Sequence, residues 1–144
     1  MLGLIEKEKF KDHQAAERGV HLLQFMTDES VDTPEYQLVL NKILCGVKLS
    51  EPITNRIDIT AKERGAIEGL IRGMIKNWKG IGNTSVAGFR ESFIQRRGRL
   101  TLKDDAWHLK VEQRAFDMLL DSIPWGFSTI KHPWMERVVY VKWR

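Results

Sequence analysis

His13 and His21 stand eight residues apart, a spacing that can set two imidazoles on one face of a helix. No cysteine or carboxylate falls at the spacing needed to complete a metal site around them, so both read as structural or solvated. His132 precedes a proline in a loop, and His108 points outward from a strand if its neighbours Trp107 and Leu109 face the core. Two adjacent carboxylates, Asp104 and Asp105, could suggest an acid and a base. They lie between two alternating runs, where aspartate bonds its own backbone and tolerates unusual dihedrals, so a turn explains them. Asp117 and Asp121 are four apart on one helical edge and are expected to be exposed and mildly repulsive. The single cysteine, Cys45, sits in the apolar run ILCGV and reads as a reduced, buried thiol. No phosphate-binding glycine loop, dinucleotide fingerprint, nucleophile elbow or HExxH pair occurs. The expectation is a protein that catalyses no reaction and carries no cofactor and no metal.

The elements that would hold these residues follow from apolar spacing. Ala16, Val20, Leu23 and Met26 form one helical stripe. Thr33 and Pro34 then offer a cap and a first helical position for a second helix carrying Tyr36, Val39, Leu40, Ile43 and Leu44, and Gly46 can end it in a left-handed conformation. Thr60 and Glu63 have capping-box spacing ahead of the strongest run of all, Ile67, Leu70, Ile71, Met74, Ile75 and Trp78, which predicts a helix across the middle of the core. Gly65, Gly69 and Gly73 recur along that helix and predict a groove where another backbone comes close. A membrane reading of the spacing fails on Lys62, Arg64, Glu68 and Arg72.

Residues Asn83 to Ser85 supply cap oxygens for a fourth helix with Val86, Phe89 and Phe93, ending at Gly98. The period then changes. Leu100 and Leu102, a Lys-Asp-Asp turn, and Trp107, Leu109 and Val111 read as a hairpin; Phe116 to Ile123 reads as a short helix stopped by Pro124; VVYVKW reads as a third strand. The fold class expected is α+β, with four to five helices packed on a small antiparallel sheet made of the hairpin plus the C-terminal strand, all in a single domain over 1–144.

Composition agrees with one ordinary core: 144 residues, 42% of them apolar. No apolar stretch approaches the length of a membrane span, and the N-terminus turns charged after five residues, so neither a spanning helix nor a secretory signal is expected. Charge is uneven: net −3 over residues 1–71, +6 over 72–114 and +1 over 115–144. Arg90, Arg96, Arg97, Arg99, Lys103 and Lys110 flank a helix and a hairpin. This basic region over 90–114 is either a solvated face, a surface that meets an acidic partner, or, as the alternative function, a nucleic-acid-binding arrangement of the winged-helix kind. Nucleic acid is the weaker partner class, because no aromatic-rich strand motif interleaves with the cations. Trp125, Phe127, Trp134, Tyr140 and Trp143 crowd the last 20 residues and read either as core lids or as anchors on a partner-facing surface.

The runs ERGVHLLQFM, PEYQLVLNKILCGV, NTSVAGFRESFIQRRGRL, WHLKVEQRAFDMLLDSIPWGFSTIKHPWM and VYVKW resemble, in that order and over nearly the whole chain, the conserved terminal region of tape measure proteins from contractile injection systems. LVLNKILCG and IPWGFSTIKHPWM are the most specific stretches. The resemblance implies a structural role in a bacterial, phage-tail-like particle with sheath, inner tube, baseplate and spike, assembled in the cytoplasm. In that family an extended portion fixes tube length while a folded region attaches near the baseplate hub or tube end. Even as one continuous helix, 144 residues would reach only about 216 Å, and the breakers prevent such a rod, so this chain reads as the anchoring domain. The partners implied are hub, spike or inner-tube subunits. The candidate contacts are Trp125, Phe127 and Trp134 for docking and Arg96, Arg97 and Arg99 for electrostatic steering. Family members usually carry an apolar segment upstream of the LGL found here at Leu2 to Leu4, so this chain is expected to lack one. The face left by Leu2, Leu4 and Ile5 is then expected to favour self-association.

Overall fold

The computed structural model describes residues 3–6, 9–54, 57–114, 117–123 and 128–143. Leu2, Phe116, Pro124, Trp125 and Phe127 lie outside the described residues, as do the side chains of Ile5 and Asp121. The chain forms two compact units, Met1–Ile67 with His132–Glu136, and Glu68–Lys131 with Arg137–Arg144.

In the first unit, β1 (Ile5–Glu6) pairs antiparallel with β2 (Lys9–Phe10), and α1 (His13–Asp28) follows. Asp12 caps α1 by accepting from the Ala15 amide at 2.8 Å. Between α1 and α2 (Val39–Leu44) the chain packs closely, since a Cβ on Gly19 would stand 3.2 Å from the Cys45 sulfur. Ala16, Val20, Leu38, Cys45, Val47 and Ile53 form the buried cluster, with Phe10 and Leu23 against it. Burial pushes the Cys45 thiol up to about 12, as expected of an inert core cysteine. His21 is buried and its Nε2 donates to the Thr54 carbonyl at 2.6 Å, a structural role that fixes the tautomer.

Thr33 and Pro34 do not open α2 as cap and first turn. Pro34 precedes a single 3₁₀ turn, Glu35–Gln37, and the Thr33 hydroxyl bonds Ser30 at 2.6 Å. The turn is held apart from α2 because the Glu35 carboxylate is taken by Lys42 Nζ at 2.8 Å and by the Ile53 amide at 3.2 Å. Lys42 is buried and also donates to the carbonyls of Leu49 and Glu51, which ties the irregular 47–53 segment to the helix. That hydrogen bond from Lys42 holds the Glu35 carboxyl below its usual range. Gly46 ends α2 as expected, at φ +71°, with its amide on Ile43 and the Val47 amide on Lys42. The capping box is also present. The Thr60 amide meets Glu63 at 3.0 Å and the Glu63 amide meets Thr60 Oγ1 at 3.1 Å, opening α3 (Ala61–Asn77).

Glu63 has a second partner that its spacing did not reveal. Arg18 of α1 donates through Nε to Oε2 at 2.5 Å and through its other arm to Oε1, and it reaches the Asp58 carbonyl at 2.7 Å. The fork holds Glu63 down at about 2 and raises Arg18.

The glycine stripe on α3 differs from its expectation. A Cβ at Gly65, Gly69 or Gly73 would meet nothing within 4 Å, and Leu70 beside them is 54% exposed. Ile67 and Ile71 are buried, so the apolar face of α3 is narrower than its six-residue run implied.

In the second unit, Trp78 is fully buried, with Phe93 edge-on at 4.8 Å and Phe89 at 6.2 Å. Ser85 caps α4 (Val86–Phe89) through the Gly88 amide at 2.9 Å. A wide π turn over Arg90–Ile94 follows, closed by the Gln95 amide on the Arg90 carbonyl, so the helix stops four residues before Gly98. Gly98 instead opens β3 (Gly98–Lys103), which pairs antiparallel with β4 (Ala106–Val111). Asp104 and Asp105 adopt φ +54° and +62°, the left-handed pair of a two-residue hairpin turn, as their position suggested. Phe116 to Ile123, expected as a short helix, is helical in its described part, as a 3₁₀ helix over Asp117–Ser122.

Two strands close the sheet, β5 (Thr129–Ile130) and β6 (Val139–Lys142), in the order β3-β4-β6-β5. The α+β class stands, but the sheet is mixed, because β6 runs parallel to β4. The return from Val111 to Val139 is long enough for a parallel crossover, which a tight turn cannot provide.

Two predictions follow from these local contacts. Glu63 stays ionised in the fold to about pH 2, whereas its unfolded value is near 4.5, so its contribution is complete above 4.5 and lost as pH falls toward 2. Glu63→Gln should therefore lower stability by about 3 kcal/mol at pH 7, and the gap from the parent should close between pH 4.5 and 2 in urea titrations followed by circular dichroism. The glycines should separate by location. Gly46→Ala puts a methyl 2.2 Å from the Trp134 carbonyl oxygen at a positive φ and should cost about 3 kcal/mol or more, while Gly65→Ala and Gly73→Ala should stabilise by about 0.5–1 kcal/mol.

Candidate functional site

The residues singled out in the sequence separate into interior and surface groups. Arg96 has turned inward, with its side chain 2% exposed. Its guanidinium meets Asp117 at 2.5 Å, donates to the Ser92 carbonyl at 2.8 Å, and lies 5.4 Å from the Phe93 ring and 5.2 Å from the Trp143 ring. Asp117 also accepts from the Arg114 amide at 3.0 Å. The exposed acidic edge expected of Asp117 is thus a buried ion pair that joins the π turn, the 3₁₀ turn and the C-terminal segment. Arg90 is buried as well, and the Arg114 guanidinium is taken by the carbonyls of Glu91 and Gln95 and by Glu112. Hydrogen bonding from Arg114 holds the Glu112 carboxyl below its usual range.

Trp134 belongs to the first unit. Its indole N–H donates to the Leu44 carbonyl at 2.7 Å, Phe10 meets it edge-on at 5.2 Å, and His132 stacks on it at 4.7 Å. It is half-buried and acts as a clasp on the end of α2. Trp134 thus falls in the first unit and Arg96, Arg97 and Arg99 in the second; Trp125 and Phe127, as noted, are not described.

Arg97 and Arg99 are exposed, and Arg99 is one corner of the feature with the clearest functional character. Strand register divides the sheet into two faces. Leu100, Leu102, Trp107, Leu109, Val111, Val139, Val141 and Ile130 share one. Opposite them, Arg99 lies across from Lys110, and Lys110 across from Lys142, so three cations occupy one row over three strands. The next row runs Thr101, His108, Tyr140 and Thr129 over all four strands, with the His108 and Tyr140 rings 5.5 Å apart, and Lys103 stands beyond it. All of these are exposed, Tyr140 by 45%. His108 faces outward, as the alternation required. An open groove lined by Arg97, Arg99, Lys110, Glu112 and Gln113 adjoins the cationic row.

Sequence reasoning found Arg99, Lys103 and Lys110 but not Lys142, because only the parallel pairing of β6 brings it into the row. Its alternation with Val141 was the available signal.

The nucleic-acid alternative receives no support here. It needs a basic helix beside the hairpin, but α4 spans four residues, and Arg90 and Arg96 are buried. Among the described residues no group of three or more metal-ligating side chains converges, and no helix is long and apolar enough to cross a membrane.

The fold is of the α+β class, and its sheet presents an exposed row of three cations. The chain belongs to the contractile injection system tape measure proteins, whose family profile matches residues 1–143. It is thus a structural component of a contractile injection particle, and it functions among other tail or tube subunits. No curated protein and no solved structure matches the chain.

Interior and surface arginines should respond differently to substitution. Arg96→Met strands Asp117 in the interior and should cost about 3–5 kcal/mol, whereas Arg97→Ala should change stability by less than about 0.5 kcal/mol, both read from urea midpoints.

Proposed function

We propose that this chain is an anchoring domain of the tape measure type, gripped at the tube end or baseplate hub, and that it contributes to length control by binding without turnover. The observation that carries this reading is the shortness of its elements. The longest described helix, α3, has 17 residues and spans about 26 Å, and the other described elements are helices and strands no longer than it. A length gauge must be extended, and a domain of this kind is suited to holding one end of it. The partners are hub, spike or inner-tube subunits, met during assembly in a bacterial cytoplasm. Trp125 and Phe127 are the proposed apolar anchors, with Arg97 and Arg99 steering the encounter by charge. Trp134 contributes by holding α2 in place.

The test is assembly in the native producer cell. Removing the coding segment should abolish sheathed particles or scatter their lengths in electron micrographs. Trp125→Ala should do the same while the purified chain keeps its melting temperature, since a buried anchor of this size is worth about 2 kcal/mol or more of binding. Uniform particles from cells lacking the segment would overturn the proposal.

A further inference from the structure

The row Arg99–Lys110–Lys142 is unfavourable in isolation. Like charges directly opposite on neighbouring strands repel, and strands lie only about 4.8 Å apart, so the central lysine is pressed from both sides. Among the described residues, no carboxylate pairs with any member of the row. The paired strands place no acidic residue there, no ion pair forms to Arg99, Lys103, Lys110 or Lys142 among the described residues, and Glu112, the acid that follows β4, is taken by Arg114 at 2.8 Å. Elsewhere the same unit pairs its charges, Arg96 with Asp117 and Arg137 with Asp105.

Resting on the assembly role proposed above, we infer that this outward sheet face is the docking surface for an acidic helix of a partner protein, whose carboxylates lie along the Arg99–Lys110–Lys142 row. The spacing supports a helix. Side chains three and four residues apart on a helix stand about 5–6 Å from one another, close to the interval between strands, so acids at i, i+4 and i+7 can each meet one cation. The adjoining Thr101–His108–Tyr140–Thr129 row supplies hydroxyls and two ring faces for the rest of that helix. A nucleic-acid strand fits less well. The cationic row is only three residues wide, and the two aromatic rings of the next row lie against each other at a 32° tilt, not spread as separate platforms for bases.

The row also makes a prediction that a merely solvated face does not share. Lys110→Glu turns two repulsions into attractions, so it should raise the melting temperature of the uncomplexed chain by roughly 2–5 °C while removing the docking surface. The experiment uses the whole chain and a labelled helical peptide with glutamate at i, i+4 and i+7, its glutamine counterpart, and a 20-nucleotide thymidine strand, compared by fluorescence anisotropy at low salt. The glutamate peptide should bind at least tenfold more tightly than the other two, Lys110→Glu should weaken it at least tenfold, and Lys76→Glu, at an exposed site outside the sheet, should change it less than twofold. Equal affinity for the glutamine peptide, tighter binding of the oligonucleotide, or a lowered melting temperature in Lys110→Glu would each overturn the inference. Assembly separates it from the reading it rests on. If cells carrying Lys110→Glu form normal particles while cells lacking the segment do not, the docking face is wrong and the assembly role stands; if both form them, the assembly role falls.

Discussion

A cation taken out of water must be met by an anion and by hydrogen-bond acceptors, and this requirement organises both units of the chain. In the first, Lys42 is buried against Glu35 and two carbonyls, and Arg18 grips Glu63. In the second, Arg96 is enclosed by Asp117, a carbonyl and two aromatic rings. Arg18–Glu63 and Arg96–Asp117 link segments distant in sequence, and Lys42–Glu35 ties the 3₁₀ turn to α2. The consequence is a sorting of the basic residues: those with an acid within reach hold the fold, and those on the sheet face have no ion-pair partner among the described residues.

That sorting divides the basic residues in the middle of the chain. A net charge of +6 over residues 72–114 suggested one continuous patch. Arg90, Arg96 and Arg114 are instead committed within the unit, and the charge available outside is set by strand register. The parallel pairing of β6 with β4 matters most here, because it adds Lys142 to Lys110 and Tyr140 to His108. A chain that only needed a soluble surface would not require three cations in one row, since surface charge of both signs serves solubility at less cost to the sheet.

Local chemistry was legible in the sequence wherever one turn of backbone decides the outcome. The Thr60–Glu63 capping box, the left-handed stop at Gly46, the Ser85 cap and the Asp104–Asp105 turn each depend on residues within a few positions of one another, and each forms. The family resemblance, carried by long specific runs, was legible for the same reason of contiguity. What depended on distant partners was not. Asp117 looked like a solvated edge because its partner lies 21 residues away, and Pro34 looked like a helix start because Lys42 and Ile53 compete for Glu35. The α3 glycines implied a close neighbour that the described residues do not supply. For the candidate site, Arg97 and Arg99 are placed on the surface, while Arg96 and Trp134 serve the interior of their own units.

On the proposed reading, this chain is a part of the particle that is held and does not react. Quantitative mass spectrometry of assembling particles, purified from the native producer cell and calibrated with isotope-labelled peptides of this sequence, addresses that most directly. A constant ratio of this chain to sheath subunits across preparations is predicted. Its absence from assembling particles that nevertheless reach normal length and sheath occupancy would contradict the account.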